Sequence, residues 1–380
     1  MGGDYPDRVG ENEAYEWRRI IKFHSRKSTC FKEEKVKVLE KRELASVQYV
    51  HHITPIEGAD KIECVHVLGW QCVANKGQFQ VGDHCVYFEV DAFLPVCDRF
   101  EFLRSSSFRK SEILGEGFRL KTLRFKGQIS QGLVQPLSIL PVREYELGTD
   151  VTELLGVRKW EIEEKVTSSG TVIGEFPYGI TKTDELRVQS YPELISEFKA
   201  VSSYYISTKM DGTSVTMYWK DGNFGVCGRN YEYKDNDKCA MWKYAHEHKI
   251  EERLRENNIP DVAIQGEFCG AGIQKNRLKL VKPEWYVFTV VNMETGRRYP
   301  LAQMQELCKK LGLKMVPVEE QGEIFPYDSV EELLERARGK YSSGMNKEGI
   351  VIRPIEPVYS RTIEGPLSMK VLNNDYLLKE

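Results

Sequence analysis

The chain has 380 residues, 41% of them hydrophobic, enough to bury a full core and long enough for two domains. Its 54 Lys+Arg stand against 57 Asp+Glu, so a strongly basic nucleic-acid-binding domain is excluded and any polyanion site must be a local patch. No run approaches the roughly 18–20 apolar residues of a membrane span, the start lacks an apolar signal core, and Pro6 stands where myristoylation wants Ser or Thr; no membrane partner is expected. The nine Cys form no C-x-x-C pair. Cys64, Cys72, Cys85 and Cys227 lie in apolar, strand-like runs, which predicts buried free thiols and an intracellular, reducing compartment, cytoplasmic or nuclear.

In chain order, residues 1–43 read as a charged extension with clustered bases from Arg18 to Lys27. Residues 44–165 change to short β-rich runs with Gly at the reversals, among them KIECVHVLGW and VGDHCVYFEVDAFLP, the texture of a small OB-like β-barrel that would grip nucleic acid. The polar stretch from about Tyr145 to Lys165, followed by Ser168, Ser169 and Gly170, is the candidate linker. Residues 166–380 mix strands and helices. YYISTKMDG, SVTMYW, FGVCGRN, DVAIQGEF, WYVFTVVN and GIVIRPI read as strands; MWKYAHEHKIEERLREN, LAQMQELCKKLG and SVEELLERARG read as helices. The last carries a capping box, Ser329 with Glu332, and Gly339 at its stop. The fold class is therefore α+β.

Lys209-Met210-Asp211-Gly212 closes a strand and opens a tight turn. A lysine attacks phosphorus only when it is held in line and has lost its proton, which a strand end beside cations or a metal ion can arrange. Taken alone, K-x-D-G is four residues and is usually a surface turn. Its partners follow in order. Arg229 and Asn230 offer a fork and an amide for phosphate or ribose; Glu267 ends a strand before glycines, where it could accept from ribose hydroxyls. Phe288, expected to share a strand face with Tyr286 and Val290, offers a ring for a base, although strand aromatics are usually core. Glu348 opens a very apolar strand and could hold a divalent cation, and Lys370 is a lone base in an apolar run, costly to bury unless it meets an anion.

This order of K-x-D-G, R-N, G-E, F, E-G-x-V-x-[RK] and a final Lys-containing strand resembles the covalent nucleotidyltransferases: DNA ligases, RNA ligases and mRNA capping enzymes. PIEGADKIE, GQISQGL and TKTDELRVQ are similar to the RNA ligases with an amino-terminal OB domain, sometimes counted as the fifth RNA ligase family. The resemblance covers about residues 44–380. It implies an OB-like module followed by a mixed, largely antiparallel, ATP-grasp-like nucleotidyltransferase domain. It also implies an ATP-dependent RNA ligase, probable substrates being RNA 3′-hydroxyl and 5′-phosphate ends in a nicked duplex, acting as a monomer with Mg²⁺ or Mn²⁺.

Residue by residue, it implies AMP on Lys209, ribose on Glu267, adenine on Phe288, metal on Glu348 and the α-phosphate on Lys370. Asp211 and Gly212 complete the lysine motif, Arg229 and Asn230 serve the phosphate or nick, and Arg187 and Gln189 lie at the nucleotide or nick. One departure stands out: the family commonly shows two Lys one residue apart in the last motif, whereas this chain reads Lys370-Val371-Leu372. The alternatives are a capping guanylyltransferase or a DNA ligase, both of which carry the OB domain after the catalytic one, and a non-catalytic RNA-binding protein.

Overall fold

The structure, a computed structural model, describes residues 42–160, 171–177, 179–182 and 184–378. The extension expected over 1–43 lies outside these except for Arg42 and Glu43, as do residues 161–170 of the linker region. No helix of the described residues is long and apolar enough to cross a membrane.

The first module is built around the strand His84–Phe88, which pairs antiparallel with Ala45–Tyr49 on one edge and Leu133–Pro136 on the other. Side chains alternate across a strand, and here both faces are apolar. Cys85 and Tyr87 join Val65, Trp70 and Cys72 in one core; Val86 and Phe88 join Leu44, Leu94, Phe100 and Phe118 in the other. The three-stranded sheet of His52–Pro55, Ile62–Val67 and Trp70–Asn75 covers the first core. The stretch expected as a linker from Tyr145 is partly core instead. Val151, Leu155 and Val157 pack with Leu44, Thr152 Oγ1 accepts from the Leu44 and Ala45 amides, and Arg158–Lys159 pairs with Phe93 and Ala92. Its apolar residues are sparse but spaced to face one way, so packing overrides polar composition.

The second module is two sheets face to face. A seven-stranded sheet includes Thr213–Lys220, Val262–Cys269 and Glu284–Asn292; a four-stranded sheet runs Val318–Gly322, Tyr204–Lys209, Gly349–Pro354, Met369–Leu372 in spatial order. All pairs are antiparallel except Glu284–Asn292 with the short strand Lys314–Met315. In the four-stranded sheet Ile206, Ile350, Ile352, Met369 and Val371 pack outward on the helices Leu194–Ala200 and Val330–Arg336. Strand alternation then turns Ser207, Lys209, Val351, Arg353, Lys370 and Leu372 to the opposite, cleft side. The helices Ala240–Glu247, Ile250–Glu256 and Leu301–Leu311 back the larger sheet. Sequence periodicity predicted one helix over the first two; Lys249, at φ +50°, breaks it. Ser329 Oγ caps its helix as expected, accepting from the Glu332 amide at 3.2 Å.

The modules meet along residues 187–190. The Gly69 amide donates to the Gln189 carbonyl at 2.8 Å, and a Cβ on Gly69 would stand 2.8 Å from the Gln189 Cα, so only glycine permits this approach. Arg187 Nη2 lies 3.3 Å from Asp91 Oδ2, with the guanidinium over the Trp70 ring. Ser190 donates to Glu89, which also pairs with Arg42 at 2.5 Å, and Gln131 donates to Asn374 at 3.2 Å. Arg187 Nε and Nη1 are buried without hydrogen-bond partners, so the Asp91 carboxylate carries much of its compensation. Asp91→Ala is expected to cost about 1–3 kcal/mol, below a fully buried pair because Asp91 is partly exposed. A melting curve reads the loss; an unchanged midpoint would contradict this view of the interface.

Candidate active site

Lys209 ends its strand at the cleft mouth, and Nζ lies 2.7 Å from Glu348 Oε1. Two glycines allow this approach. A Cβ on Gly349, at φ +154°, would stand 2.1 Å from the Val371 carbonyl, and one on Gly212 would stand 2.4 Å from the Phe268 carbonyl. Tyr341 ties the pair together: its hydroxyl donates to the Lys209 carbonyl at 2.7 Å and accepts from the Glu348 amide at 3.0 Å. Glu267 faces them from the larger sheet, opposite Ser214 in register. Burial pushes its carboxyl up to about 8, Lys209 opposing and Glu348 and Asp211 adding to the rise. Desolvation would lower the Lys209 ammonium, but Glu348 and Glu267 outweigh it and hold it above the usual lysine value.

Asp211 is anchored from behind. Tyr376 donates to its Oδ1 at 3.0 Å, and Arg277 Nε lies 3.1 Å from Oδ2 in an ion pair whose angle is not that of a hydrogen bond. The Arg277 guanidinium sits 4.3 Å over the Tyr376 ring, and Arg277 is itself only 5% exposed. The turn that follows the lysine is thereby fixed to the last helix, Asn374–Leu377.

A second charged group lies beside the first. Asp184 Oδ2 is 2.5 Å from Arg229 Nη2, and Asp184 Oδ1 is 3.8 Å from Lys370 Nζ. Burial lowers the Lys370 ammonium to about 8, Asp184 resisting and Lys209 and Arg187 assisting. Arg187 and Gln189, expected at the nucleotide or nick, have their side chains in the module interface described above. Arg187 nevertheless meets Lys370 through the backbone, in a parallel bridge, with the Lys370 amide donating to the Leu186 carbonyl. Asn230 accepts from the Phe176 amide through its carbonyl at 3.0 Å.

Phe288 lies on the cleft side with Tyr286, Met210 and Tyr341. Val290 does not share that face. Gln265 pairs with Thr289 and Gly266 with Val287, leaving Phe288 as the extra residue of a β-bulge that reverses the alternation and sends Val290 into the outer core. Arg353 donates to the Phe288 carbonyl and pairs with Glu185 at 2.5 Å; Ser368 also donates to Glu185. The bulge is thus fastened to the facing sheet. Asp184, Glu185, Arg277, Tyr341 and Tyr376 were not singled out from sequence. Only Asp184 and Glu185, inside TKTDELRVQ, stood in a segment already marked.

The raised Glu267 carboxyl makes a pH prediction. The folded state binds this proton more tightly than the unfolded state, so its contribution is fully present below about pH 4.5 and is lost as pH rises through about 8. Glu267→Gln should therefore melt a few degrees above the parent at pH 8, with the gap closing towards pH 5. Parallel curves at both pH values would contradict the burial of this charge.

These features were then set beside known proteins. A family model described as an OB-fold domain matches residues 44–137, and one described as RNA ligase matches residues 202–371. No curated protein sequence matches. Among solved structures, the chain is similar to a Naegleria gruberi RNA ligase mutant with AMP and Mn, at 37% identity, TM-score 0.81, covering 89% of this chain and 99% of that one. It is also similar to a mutant of that ligase with ATP and Mn, at 36% identity, TM-score 0.81 and the same coverage. The ligase with PPi matches at 36% identity and TM-score 0.80, covering 90% of this chain and 99% of that one. With two modules in this order and this similarity over nearly the whole of those ligases, the chain belongs to the RNA ligase family.

Proposed function

We propose that the chain uses ATP to join RNA 3′-hydroxyl and 5′-phosphate ends at nicks in a duplex, through AMP held covalently on Lys209. The observation that carries this reading is the convergence of Lys209, Glu348, Glu267, Phe288 and Lys370 on one cleft between two sheets. Phe288 would stack on adenine, Glu267 would accept from the ribose hydroxyls, and Lys370 with Arg229 would hold phosphate. Lys209 would form the nitrogen–phosphorus bond as the bond to pyrophosphate breaks. AMP then passes to the 5′-phosphate, and the 3′-hydroxyl expels it.

Lys209 must lose its proton to attack, and the surrounding carboxylates oppose that loss. The donor set suits a divalent cation: three carboxylates, Asp211, Glu267 and Glu348, act on one another, and burial keeps one protonated near neutrality. Mg²⁺ or Mn²⁺ brought in with the ATP phosphates would neutralise this negative field and favour the uncharged amine. Among the described residues no group of three or more His, Cys, Asp and Glu is placed to hold a metal, which fits a cation bound largely through phosphate and water. The buried free thiols fit a reducing, intracellular compartment.

Lys209→Ala should abolish AMP attachment from labelled ATP while retaining some joining of an RNA end that already carries AMP. Labelling of the alanine variant at the parental level would refute the nucleophile, and labelling by GTP in place of ATP would point to capping chemistry.

A further inference from the structure

The last strand leaves a charge to be found. Leu372 lies on the cleft side two residues beyond Lys370, opposite Gly349, where the family pattern commonly has a second lysine. Phosphoryl transfer builds charge on several oxygens at once, and one ammonium neutralises only part of it. Among the described cations near Lys370, Arg229 already matches its own motif, while Arg42 and Arg187 are engaged by Glu89 and Asp91 at the module interface.

The first module brings in another. Lys159 pairs in register with Ala92, and the next residue, Trp160, donates its amide to the Asp91 carbonyl at 2.8 Å. The Asp91 carboxylate holds Arg187, whose backbone bridges to Lys370. This chain of contacts sets Lys159 and Lys370 at the same side of the cleft, with Asp184 facing Lys370 and Arg229 there. We propose that Lys159, from the OB module, is the second phosphate-binding cation of the cleft, taking the part of the lysine that Leu372 replaces. The charge field agrees. Desolvation in the cleft pushes the Asp184 carboxyl up, but Lys370, Arg229, Lys159 and Lys209 together pull it well below the usual carboxylate range. Asp184 thus stands where several cations converge without a nucleotide, and a phosphate would replace it as their common partner.

The inference rests on the reading of the cleft as the nucleotide site. The test uses the full chain with labelled ATP and Mn²⁺ and measures the rate of AMP attachment, with a melting curve for each variant. Lys159→Ala should slow attachment about ten- to hundredfold, the loss of one charge-assisted contact. Lys159→Arg should keep most of the rate, and Leu372→Lys added to Lys159→Ala should restore part of it. Leu372 belongs to no apolar core cluster, so the added lysine has a cleft-side position to occupy. Attachment by Lys159→Ala at the parental rate, or a loss that neither Lys159→Arg nor the second-site lysine repairs, overturns the assignment. Lys370→Ala is run alongside: if it too labels at the parental rate, the reading of the cleft falls and the Lys159 assignment with it.

Discussion

The ion pair of Lys209 with Glu348, 2.7 Å long and set at the mouth of a cleft between two sheets, is the constraint on which the rest of the site depends. A cleft that handles phosphates needs cations, and cations out of water need partners. Here the partners are carboxylates supplied by the chain itself: Glu348 for Lys209, Asp184 for Lys370 and Arg229, Asp211 for Arg277. The site is self-neutralised, and a nucleotide binds by exchanging its own charges into these pairs. Glu267 is the member left over, and burial answers by protonating it.

That arrangement requires the two sheets to be held at a fixed separation, and polar contacts do this at both ends. Arg353 spans from Glu185 to the Phe288 carbonyl at the deep end. At the mouth, Tyr341 joins Lys209 to Glu348, and Arg277 with Tyr376 fixes the following turn to the last helix. The OB module continues the same logic. Asp91 and Glu89 hold residues 187–190, and that segment is hydrogen-bonded to the strand carrying Lys370. The amino-terminal module therefore braces a catalytic-domain strand through backbone and buried charge.

Much of this was legible in the sequence because it is local. The K-x-D-G turn, the glycine after Glu348 and the apolar alternation of the central strands each act within a few residues, and the structure places the corresponding strands and turns there. The buried thiols Cys64, Cys72, Cys85 and Cys227 were readable for the same reason. What escaped depends on distant partners. Arg277 is an ordinary basic residue in a loop until Asp211 and Tyr376 are brought to it. The bulge at Phe288 is set by pairing with Gln265 and Gly266, so strict alternation misplaced Val290. Val151, Leu155 and Val157 looked like linker because their apolar neighbours lie a hundred residues earlier, around Leu44. Arg187 and Gln189 were marked by resemblance, but their side chains take positions that only the docked OB module explains.

The central claim is that the cleft turns ATP into AMP carried on one lysine and delivers it to an RNA end. The most direct measurement is to incubate the full chain with labelled ATP and Mn²⁺, map the label by peptide mass spectrometry, and then add nicked duplex RNA bearing a 5′-phosphate. The account predicts AMP on the peptide containing Lys209, none from GTP, and its passage to the RNA end followed by release as the strands join. Label on another residue, or label on Lys209 that no RNA end can remove, would contradict it.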